Sequence, residues 1–338
     1  DEALAATRNL RCARPLNDPL TARFPLPDAA EPAVLLAADG SQINPSRHDA
    51  VEFGVINLGA VRFASGEIPR EFVRSELLYG DALYINNRRI PEEVLALRRD
   101  LRERTLLKEL AAAEQGKCIT LTDGPLELFR EPKENAEFTR GLEEYIQVLT
   151  GLADMAVLTA GYVDKPRADL VVRLLELMAL NPADLARRDP PRPLLGLTDL
   201  DLYGELLAPG ERSAVFRIES TSREVFKGPL ALTFFYLNVG REKHPQIARV
   251  ELPLWAAETP ARLESLHAHL AAQCRLTGAH PYPYLLHRAH EVAVVRLDER
   301  QKLESMIQME LGNHNDQPLE RSAKQANKDL PGRTRYGK

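Results

Sequence analysis

Two apolar segments, far apart in the chain, each end in an aspartate that is followed by glycine. The first reads Ala33-Val34-Leu35-Leu36-Ala37-Ala38-Asp39-Gly40, and the second reads Cys118-Ile119-Thr120-Leu121-Thr122-Asp123-Gly124. Short apolar runs that stop at a turn-forming Asp-Gly pair are typical of buried strands. We therefore predict two neighbouring strands that end at Asp39 and Asp123 and bring both carboxylates to one sheet edge. Paired carboxylates are ligands with which proteins hold hard divalent cations for phosphoryl chemistry.

The composition is that of a globular protein rather than a membrane protein. The chain has 338 residues, of which 44% are hydrophobic, enough for one large core or two modest ones. No run approaches the roughly 18 apolar residues of a membrane span, and the opening Asp1-Glu2-Ala3-Leu4 lacks the basic and apolar regions of a secretion signal. We expect a cytoplasmic protein with no membrane partner.

The cysteines are odd in number and widely separated. Cys12, Cys118 and Cys274 form neither a disulfide framework nor a zinc motif of the CxxC type. We expect them to be core thiols.

The overall charge does not indicate a nucleic-acid-binding protein, because the net charge is −5 and the pI is about 6.0. The end of the chain is different. After residue 319 six basic residues face only Glu320 and Asp329: Arg321, Lys324, Lys328, Arg333, Arg335 and Lys338. This basic tail, residues 313–338, is either a contact for phosphate or a solvated terminus.

Strand and helix patterns alternate through the middle of the chain. A proline-rich arm over residues 1–30, with a short helix expected near Glu2–Cys12, precedes the first strand. A long helix over 91–114 precedes the Cys118 strand. A helix, a strand and another helix follow at about 134–155, 156–163 and 168–180. This alternation predicts an α/β fold in which part of the sheet is parallel and helices flank it. Further strands are predicted at 214–219, 230–237 and 247–252, and further helices at 260–275, 282–295 and 299–311.

A third acid lies on an apolar helix face. Glu103 shares the i, i+3, i+4, i+7 spacing with Leu106, Leu107 and Leu110, so the pattern turns it toward the sheet. A carboxylate on such a face must be paired, protonated or bound to a metal. A slightly rotated helix would instead leave Glu103 at the rim. Glu109 falls on the flank of the same helix and can reach water.

His290 lies beside the apolar stripe of a predicted helix. A lone histidine in this position is more often a hydrogen-bonded structural residue than a metal ligand, and a carboxylate partner would favour the ligand role. Other reactive motifs are missing from the sequence: GxxxxGK[ST], GxGxxG and GxSxG do not occur in the contexts that give them meaning. Ser41, which follows Asp-Gly, is better explained as a turn residue than as a nucleophile.

Five short segments, in order along the chain, together carry a family resemblance. They are Asp39-Gly40-Ser41, Thr122-Asp123-Gly124-Pro125-Leu126, Gly161-Tyr162-Val163-Asp164-Lys165-Pro166-Arg167, Arg249-Val250-Glu251-Leu252-Pro253, and Tyr282-Pro283-Tyr284-Leu285 through Ala289-His290. Each is weak alone, but as a set they resemble the NurA family of DNA-repair nucleases over most of the chain. The third segment and Ser322-Ala323-Lys324-Gln325 look most like the bacterial branch.

The resemblance implies a ribonuclease-H-like mixed sheet flanked by helices, with the nuclease domain over residues 31–312. It also implies a homodimer with manganese-dependent 5′ to 3′ DNA exonuclease and single-strand endonuclease activity. The implied partner is the hexameric DNA translocase HerA, and the implied process is end resection.

The family's functional residues transfer by position. Its two strand acids correspond to Asp39 and Asp123, its helix histidine to His290, and its tyrosine to Tyr282, with Tyr284 close enough to be an alternative. Its helix glutamate corresponds to Glu103 on the packing argument, with Glu109 as the alternative.

The resulting hypothesis is a site in which Asp39, Glu103, Asp123 and His290 bind one or two Mn²⁺ or Mg²⁺ ions. An imidazole among oxygen ligands favours Mn²⁺ over Mg²⁺. Lys165 and Arg167, just past a predicted strand, either hold the DNA backbone or form an ordinary solvated loop pair. Two other functions stay open: a catalytically weak interaction subunit of a translocase, and another metal-dependent phosphoesterase on the same fold.

Overall fold

The computed structural model describes residues 10–28, 31–47, 49, 51–128, 136–187 and 189–314. The strands are β1 (Cys12–Pro15), β2 (Arg23–Phe24), β3 (Val34–Ile43), β4 (Gly54–Phe63), β5 (Arg70–Leu78), β6 (Tyr84–Ile85), β7 (Arg88–Arg89), β8 (Cys118–Asp123), β9 (Leu158–Val163), β10 (Arg212–Ser213), β11 (Phe216–Glu219), β12 (Leu232–Asn238) and β13 (Ile247–Pro253).

The α-helices are α1 (Glu92–Ala112), α2 (Ala136–Asp154), α3 (Leu170–Ala179), α4 (Pro182–Leu185), α5 (Asp199–Leu206), α6 (Leu254–Ala257), α7 (Pro260–Leu276), α8 (Tyr284–Ala293) and α9 (Leu297–His314). Short 3₁₀ helices cover Gly80–Leu83, Thr221–Glu224 and Gly228–Leu230. None of the described helices has the length and apolar character needed to span a membrane.

Most of the described strands form one mixed sheet, and β6 and β7 pair separately. Its main order is β1-β11-β12-β13-β9-β8-β3-β4-β5, and β10 and β2 pair beside β12. The central strands β3, β8 and β9 are parallel, whereas the neighbours on both sides are antiparallel. Helices α1 and α2 lie between the parallel strands in the chain, as a parallel connection requires. The predicted α/β fold, a mixed sheet flanked by helices, is confirmed.

Strand β3 does not end where the sequence predicted. It continues past Asp39 to Ile43, because the antiparallel partner β4 supplies hydrogen bonds along this whole stretch, with Asp39 opposite Gly59. The parallel partner β8, by contrast, ends at Asp123 as predicted. Ser41 is therefore a strand residue, and the turn assigned to it was wrong.

The two faces of the sheet bury different side chains, as alternation along a strand demands. Leu36 and Ala38 belong to the core beneath α1 and α2, whereas Leu35 and Ala37 belong to the core beneath α7 and α8. All three cysteines are buried free thiols, and burial raises the pKa of each, so the expectation of core thiols is confirmed.

The segments near both ends are described in part. Within the arm of residues 1–30, β1 pairs with β11 and β2 pairs with β10, so this part of the arm adds strands to the sheet. A short helix expected near Glu2–Cys12 falls mostly outside the described residues, and Cys12 begins β1. The tail beyond residue 314, with all its basic residues, also lies outside them.

Helix α8 packs closely on β4 because Gly59 has no side chain. A Cβ at Gly59 would lie 2.4 Å from the backbone nitrogen of Ala293 and 2.7 Å from the carbonyl oxygen of Ala289. Both atoms belong to the helix backbone, so no side-chain rotation can relieve the clash. The small residue thus sets the distance between α8 and the sheet.

We predict that Gly59→Ala lowers the free energy of unfolding by about 1–3 kcal/mol, because the helix must move away from the sheet. Urea denaturation measures the change. Gly204→Ala is the matched control, since the nearest atom to a Cβ there is a Pro245 carbon at 3.9 Å. Equal stability of the two variants would contradict this account of α8.

Candidate metal centre

The sheet brings the two predicted acids side by side. Strands β3 and β8 are parallel and in register up to the pair Ala38 and Thr122, so the next residues in the same register are Asp39 and Asp123. Adjacent strands lie about 4.8 Å apart, and equivalent positions point to the same face. The two carboxylates therefore project together toward the helix that carries His290.

His290 contacts the first of these acids directly. Its Nδ1 lies 2.7 Å from Oδ2 of Asp39, and the imidazole remains 63% exposed. The carboxylate partner that would favour a ligand role is thus present. The other ring nitrogen, Nε2, is left for a further ligand.

The end of α8 is held by side chains from the sheet. Ser41 Oγ donates to the carbonyl of Ala293 at 2.6 Å, and Asn57 Nδ2 donates to the same carbonyl at 2.7 Å. Ser75 Oγ in turn donates to Asn57 Oδ1 at 2.6 Å. These bonds satisfy a carbonyl of the last turn and fix the helix that positions His290.

Tyr282, rather than Tyr284, reaches the second acid. Its hydroxyl hydrogen-bonds the Asp123 carboxylate, and its ring packs edge-on against Tyr162 with centroids 5.5 Å apart. Although Asp123 is open to solvent at its tip, partial desolvation raises its pKa, while the bond from Tyr282 opposes this shift. Burial, followed by the charge of Asp123, raises the pKa of Tyr282, so the tyrosine stays protonated and donates.

Glu103 approaches from the opposite face, over a glycine. A Cβ at Gly40 would lie 2.5 Å from Glu103 Oε1, so only glycine lets the carboxylate rest against β3. Glu103 is buried, with 6% of its surface exposed, which confirms the predicted burial. Desolvation raises its pKa to about 8, opposed by the charges of Arg104 and Arg99.

Glu109 does not belong to this site. It points outward and forms an exposed ion pair with Arg74 on β5, with Nη1 and Oε2 2.7 Å apart. The structure thus separates the two candidates: Glu103 faces the strand acids, and Glu109 faces solvent.

The three acids line one cavity of about 250 Å³, together with residues that the sequence analysis missed. Arg99 is one helical turn before Glu103 on α1, and its Nε lies 3.3 Å from Glu103 Oε1. Glu127 is a buried acid whose Oε2 pairs with Arg11 at 2.7 Å. The i, i+4 spacing of Arg99 and Glu103 was a signal that could have identified the arginine. Glu127 had no comparable signal.

The loop after Asp123 is held from several directions. Glu251, fully buried on β13, accepts hydrogen bonds from the backbone N–H groups of Leu126 at 2.9 Å and Glu127 at 3.4 Å. Tyr145 Oη donates to the Leu126 carbonyl at 2.7 Å, and Arg104 Nη2 donates to the Pro125 carbonyl at 3.2 Å. These contacts fix one wall of the cavity. The backbone hydrogen bonds, together with an ion pair to Arg249 Nη2 at 2.8 Å, compensate the burial of the Glu251 carboxylate.

Lys165 and Arg167 lie in the turn after β9. Tyr162 of that strand pairs with Asp123, so the turn shares the sheet edge with the acids. Both side chains are exposed, and Lys165 has a positive φ of 46°. The charge of Asp164, in the same turn, reaches far enough to raise the pKa of Tyr282.

The side chains of Asp39, Glu103, Asp123 and His290 carry donor atoms that suit a divalent cation. In this structure each of them contacts another protein group. Three carboxylates and an imidazole are oxygen and nitrogen donors of the kind that bind Mn²⁺. Within the described part of the chain, no three such side chains already lie close enough together to hold an ion. Asp39 contacts His290, Asp123 contacts Tyr282, and Glu103 contacts Arg99.

A family model described as "NurA domain" matches residues 33–295. This match covers every candidate metal ligand and both tyrosines. No curated protein matches the chain.

Solved structures match the chain at low sequence identity. The NurA nuclease from Sulfolobus solfataricus is 12% identical, with a TM-score of 0.56, and the match covers 87% of this chain and 88% of that one. The catalytic domain of human endonuclease V is 14% identical, with a TM-score of 0.36 and coverages of 90% and 94%. Endonuclease V from Ciona intestinalis, solved with DNA, is 12% identical, with a TM-score of 0.33 and coverages of 82% and 88%.

We predict that Glu103→Gln stabilises the metal-free protein at alkaline pH. The folded pKa of Glu103 lies above its unfolded value, so the stability associated with the neutral acid is present below about pH 4.5 and is lost as pH rises through about 8. Glutamine cannot ionise, so the advantage of the variant should grow between pH 5 and pH 9, to roughly 2–4 kcal/mol.

Urea denaturation in the presence of a chelator, repeated across this range, measures the difference. Glu109→Gln is the control, because Glu109 is exposed, and its difference from wild type should stay small. A constant difference between Glu103→Gln and wild type across the pH range would contradict the burial of an ionisable carboxylate here.

Proposed function

Because this chain belongs to the NurA family, we propose that it is a metal-dependent DNA nuclease, with Mn²⁺ as the preferred ion and Mg²⁺ as the alternative. The proposal is supported by the convergence of the candidate ligand side chains on one place in the fold. Asp39, Glu103 and Asp123 are far apart in the sequence and come from different elements, yet they line one cavity at the sheet edge, and His290 contacts Asp39. The matching Sulfolobus protein is named a NurA nuclease, which supports the same activity for this chain.

The carboxylates and the imidazole would hold the ion. When bound, a divalent ion polarises the scissile phosphate and lowers the pKa of an attacking water. The parallel strand pair supplies Asp39 and Asp123 from a rigid backbone, which keeps two ligands in a fixed relation. Glu103 closes the site from the other face of the sheet, and His290 supplies the nitrogen donor from α8.

The remaining residues orient these ligands. In this proposal Tyr282 holds the Asp123 carboxylate through its hydroxyl and leaves the other carboxylate oxygen for the ion. The bonds from Ser41 and Asn57 to the end of α8 keep His290 over Asp39. Outer contacts of this kind typically contribute about 10–100-fold to metal affinity or activity.

The substrate and partners follow from the family rather than from the site. We propose 5′ to 3′ exonuclease activity on DNA, single-strand endonuclease activity, a homodimer, and action with a HerA-type hexameric ATPase in end resection. Lys165 and Arg167 are proposed to contact the DNA backbone, since they are exposed beside the acids and carry the charge that phosphate requires. With a net charge of −5, the protein has little general attraction for DNA, and a translocase partner would supply it.

We predict that Asp123→Asn loses Mn²⁺-dependent cleavage by at least about 100-fold, because the substitution removes a ligand oxygen charge while keeping the side-chain shape. Cleavage of end-labelled duplex and single-stranded DNA measures the loss, and circular dichroism verifies that the variant is folded. Glu109→Gln is the matched control and should cleave at the wild-type rate, since its carboxylate points away from the site.

Other outcomes separate the competing functions. Wild-type-level cleavage by a folded Asp123→Asn protein would end the assignment of this site. Faster cleavage of RNA oligonucleotides than of DNA would favour a different phosphoesterase, and no cleavage of either by the wild type would favour an interaction subunit.

A further inference from the structure

Arg99 lies among the acids of the metal centre. It makes fewer side-chain hydrogen bonds than Arg104, which also lines the cavity. Arg104 donates to two backbone carbonyls and lies over the Tyr145 ring. Within the described residues, Arg99 makes one side-chain hydrogen bond, from Nη2 to Asp100 Oδ1 at 2.8 Å. Its buried Nε, like that of Arg104, has no hydrogen-bond partner in this part of the chain, but the Arg99 Nε lies 3.3 Å from Glu103 Oε1. A buried, unpaired donor beside a carboxylate is an incomplete contact.

Gly40 leaves room for the Arg99 side chain because it has no Cβ. A Cβ at Gly40 would lie 2.7 Å from Arg99 Cγ and 3.0 Å from Arg99 Cδ, so the arginine passes directly over β3 beside Asp39. The charges of Asp100, Glu103 and Asp39 all act on the guanidinium. Arg99 is thus a cation that contacts one proposed metal ligand, Glu103, and feels the charge of a second, Asp39.

We propose that Arg99 is a displaceable counter-cation, which offsets the charges of Asp39 and of ionised Glu103 in the metal-free protein and gives up this role when the divalent ion enters. The proposal rests on the proposed function, because it requires a metal ion in the same cavity. The ion pair with Glu103 is the contact that metal binding breaks. The hydrogen bond to Asp100 lies outside the proposed ligand set and can persist.

This arrangement has an energetic consequence for metal binding. Two or three carboxylates in one partly desolvated cavity repel one another, and a nearby cation reduces that repulsion in the metal-free state. The same cation opposes the entering ion by charge repulsion and by competing for Glu103. Arg99 therefore stabilises the metal-free protein and weakens metal binding, and the two effects are linked by one thermodynamic cycle.

A purely structural role predicts the opposite change in affinity. If Arg99 only held α1 or Glu103 in place, its removal would disorder a ligand and weaken metal binding. The direction of the change in Mn²⁺ affinity separates the two roles.

The experiment compares Arg99→Gln, Arg99→Lys and the wild type by isothermal titration with Mn²⁺ and by thermal unfolding with chelator and with saturating Mn²⁺. Arg102→Gln is the matched control: it removes one charge from the same helix, where Arg102 is 56% exposed and faces Glu76 instead of the cavity. Glu103→Gln and the double variant Arg99→Gln/Glu103→Gln complete a double-mutant cycle.

We expect Arg99→Gln to bind Mn²⁺ roughly three- to tenfold more tightly than the wild type and to have a lower metal-free melting temperature. The difference in melting temperature should shrink in saturating Mn²⁺. Arg99→Lys retains the charge and should remain near the wild type, as should Arg102→Gln. In the Glu103→Gln background, Arg99→Gln should cause smaller changes in Mn²⁺ affinity and in the metal-free melting temperature.

Unchanged or weaker Mn²⁺ binding by Arg99→Gln would overturn the proposal, as would equal destabilisation with and without the metal. If the wild type binds Mn²⁺ and cleaves DNA but Arg99→Gln binds no more tightly, only this inference fails. If the wild type binds no Mn²⁺, the proposed function fails first, and the counter-cation role fails with it.

Discussion

The parallel pairing of β3 with β8 is the interaction on which the site depends. It places Asp39 and Asp123 at equivalent positions of neighbouring strands, so two like charges occupy one sheet edge. Backbone hydrogen bonds fix this separation, and side-chain motion cannot remove the repulsion entirely. Glu103, entering over Gly40 from the other face, adds a third carboxyl group to the same cavity.

Each acid of this edge has a partner of its own. His290 contacts Asp39, Tyr282 contacts Asp123, and Arg99 lies beside Glu103. Because these partners come from α8, from the loop before it and from α1, the metal-free charge balance involves elements on both faces of the sheet. The raised pKa values of Glu103 and Asp123 indicate that the compensation is incomplete. In the proposed function, this residual cost would favour the binding of a divalent cation.

Local patterns predicted much of the fold and part of the site. Apolar runs and helix spacing identified the central strands and helices. The spacing of Glu103 with Leu106, Leu107 and Leu110 indicated that Glu103 faces the sheet, where it is buried. The extension of β3 beyond Asp39 was missed because it depends on pairing with β4, a contact that local turn propensity does not encode. Ser41 was misread for the same reason, since its partner is the Ala293 carbonyl of a helix more than 200 residues later. The partner of His290 could not be found before the fold was known, because the contact with Asp39 is a tertiary one.

The most direct measurement is the anomalous diffraction of manganese in a crystal of this protein soaked in Mn²⁺. We expect a manganese peak in the cavity between β3, β8 and α1, coordinated by Asp39, Asp123, Glu103 and His290, with the ion pair between Arg99 and Glu103 broken. A peak elsewhere, or no ion at these four side chains in a crystal that binds manganese, would contradict this expectation.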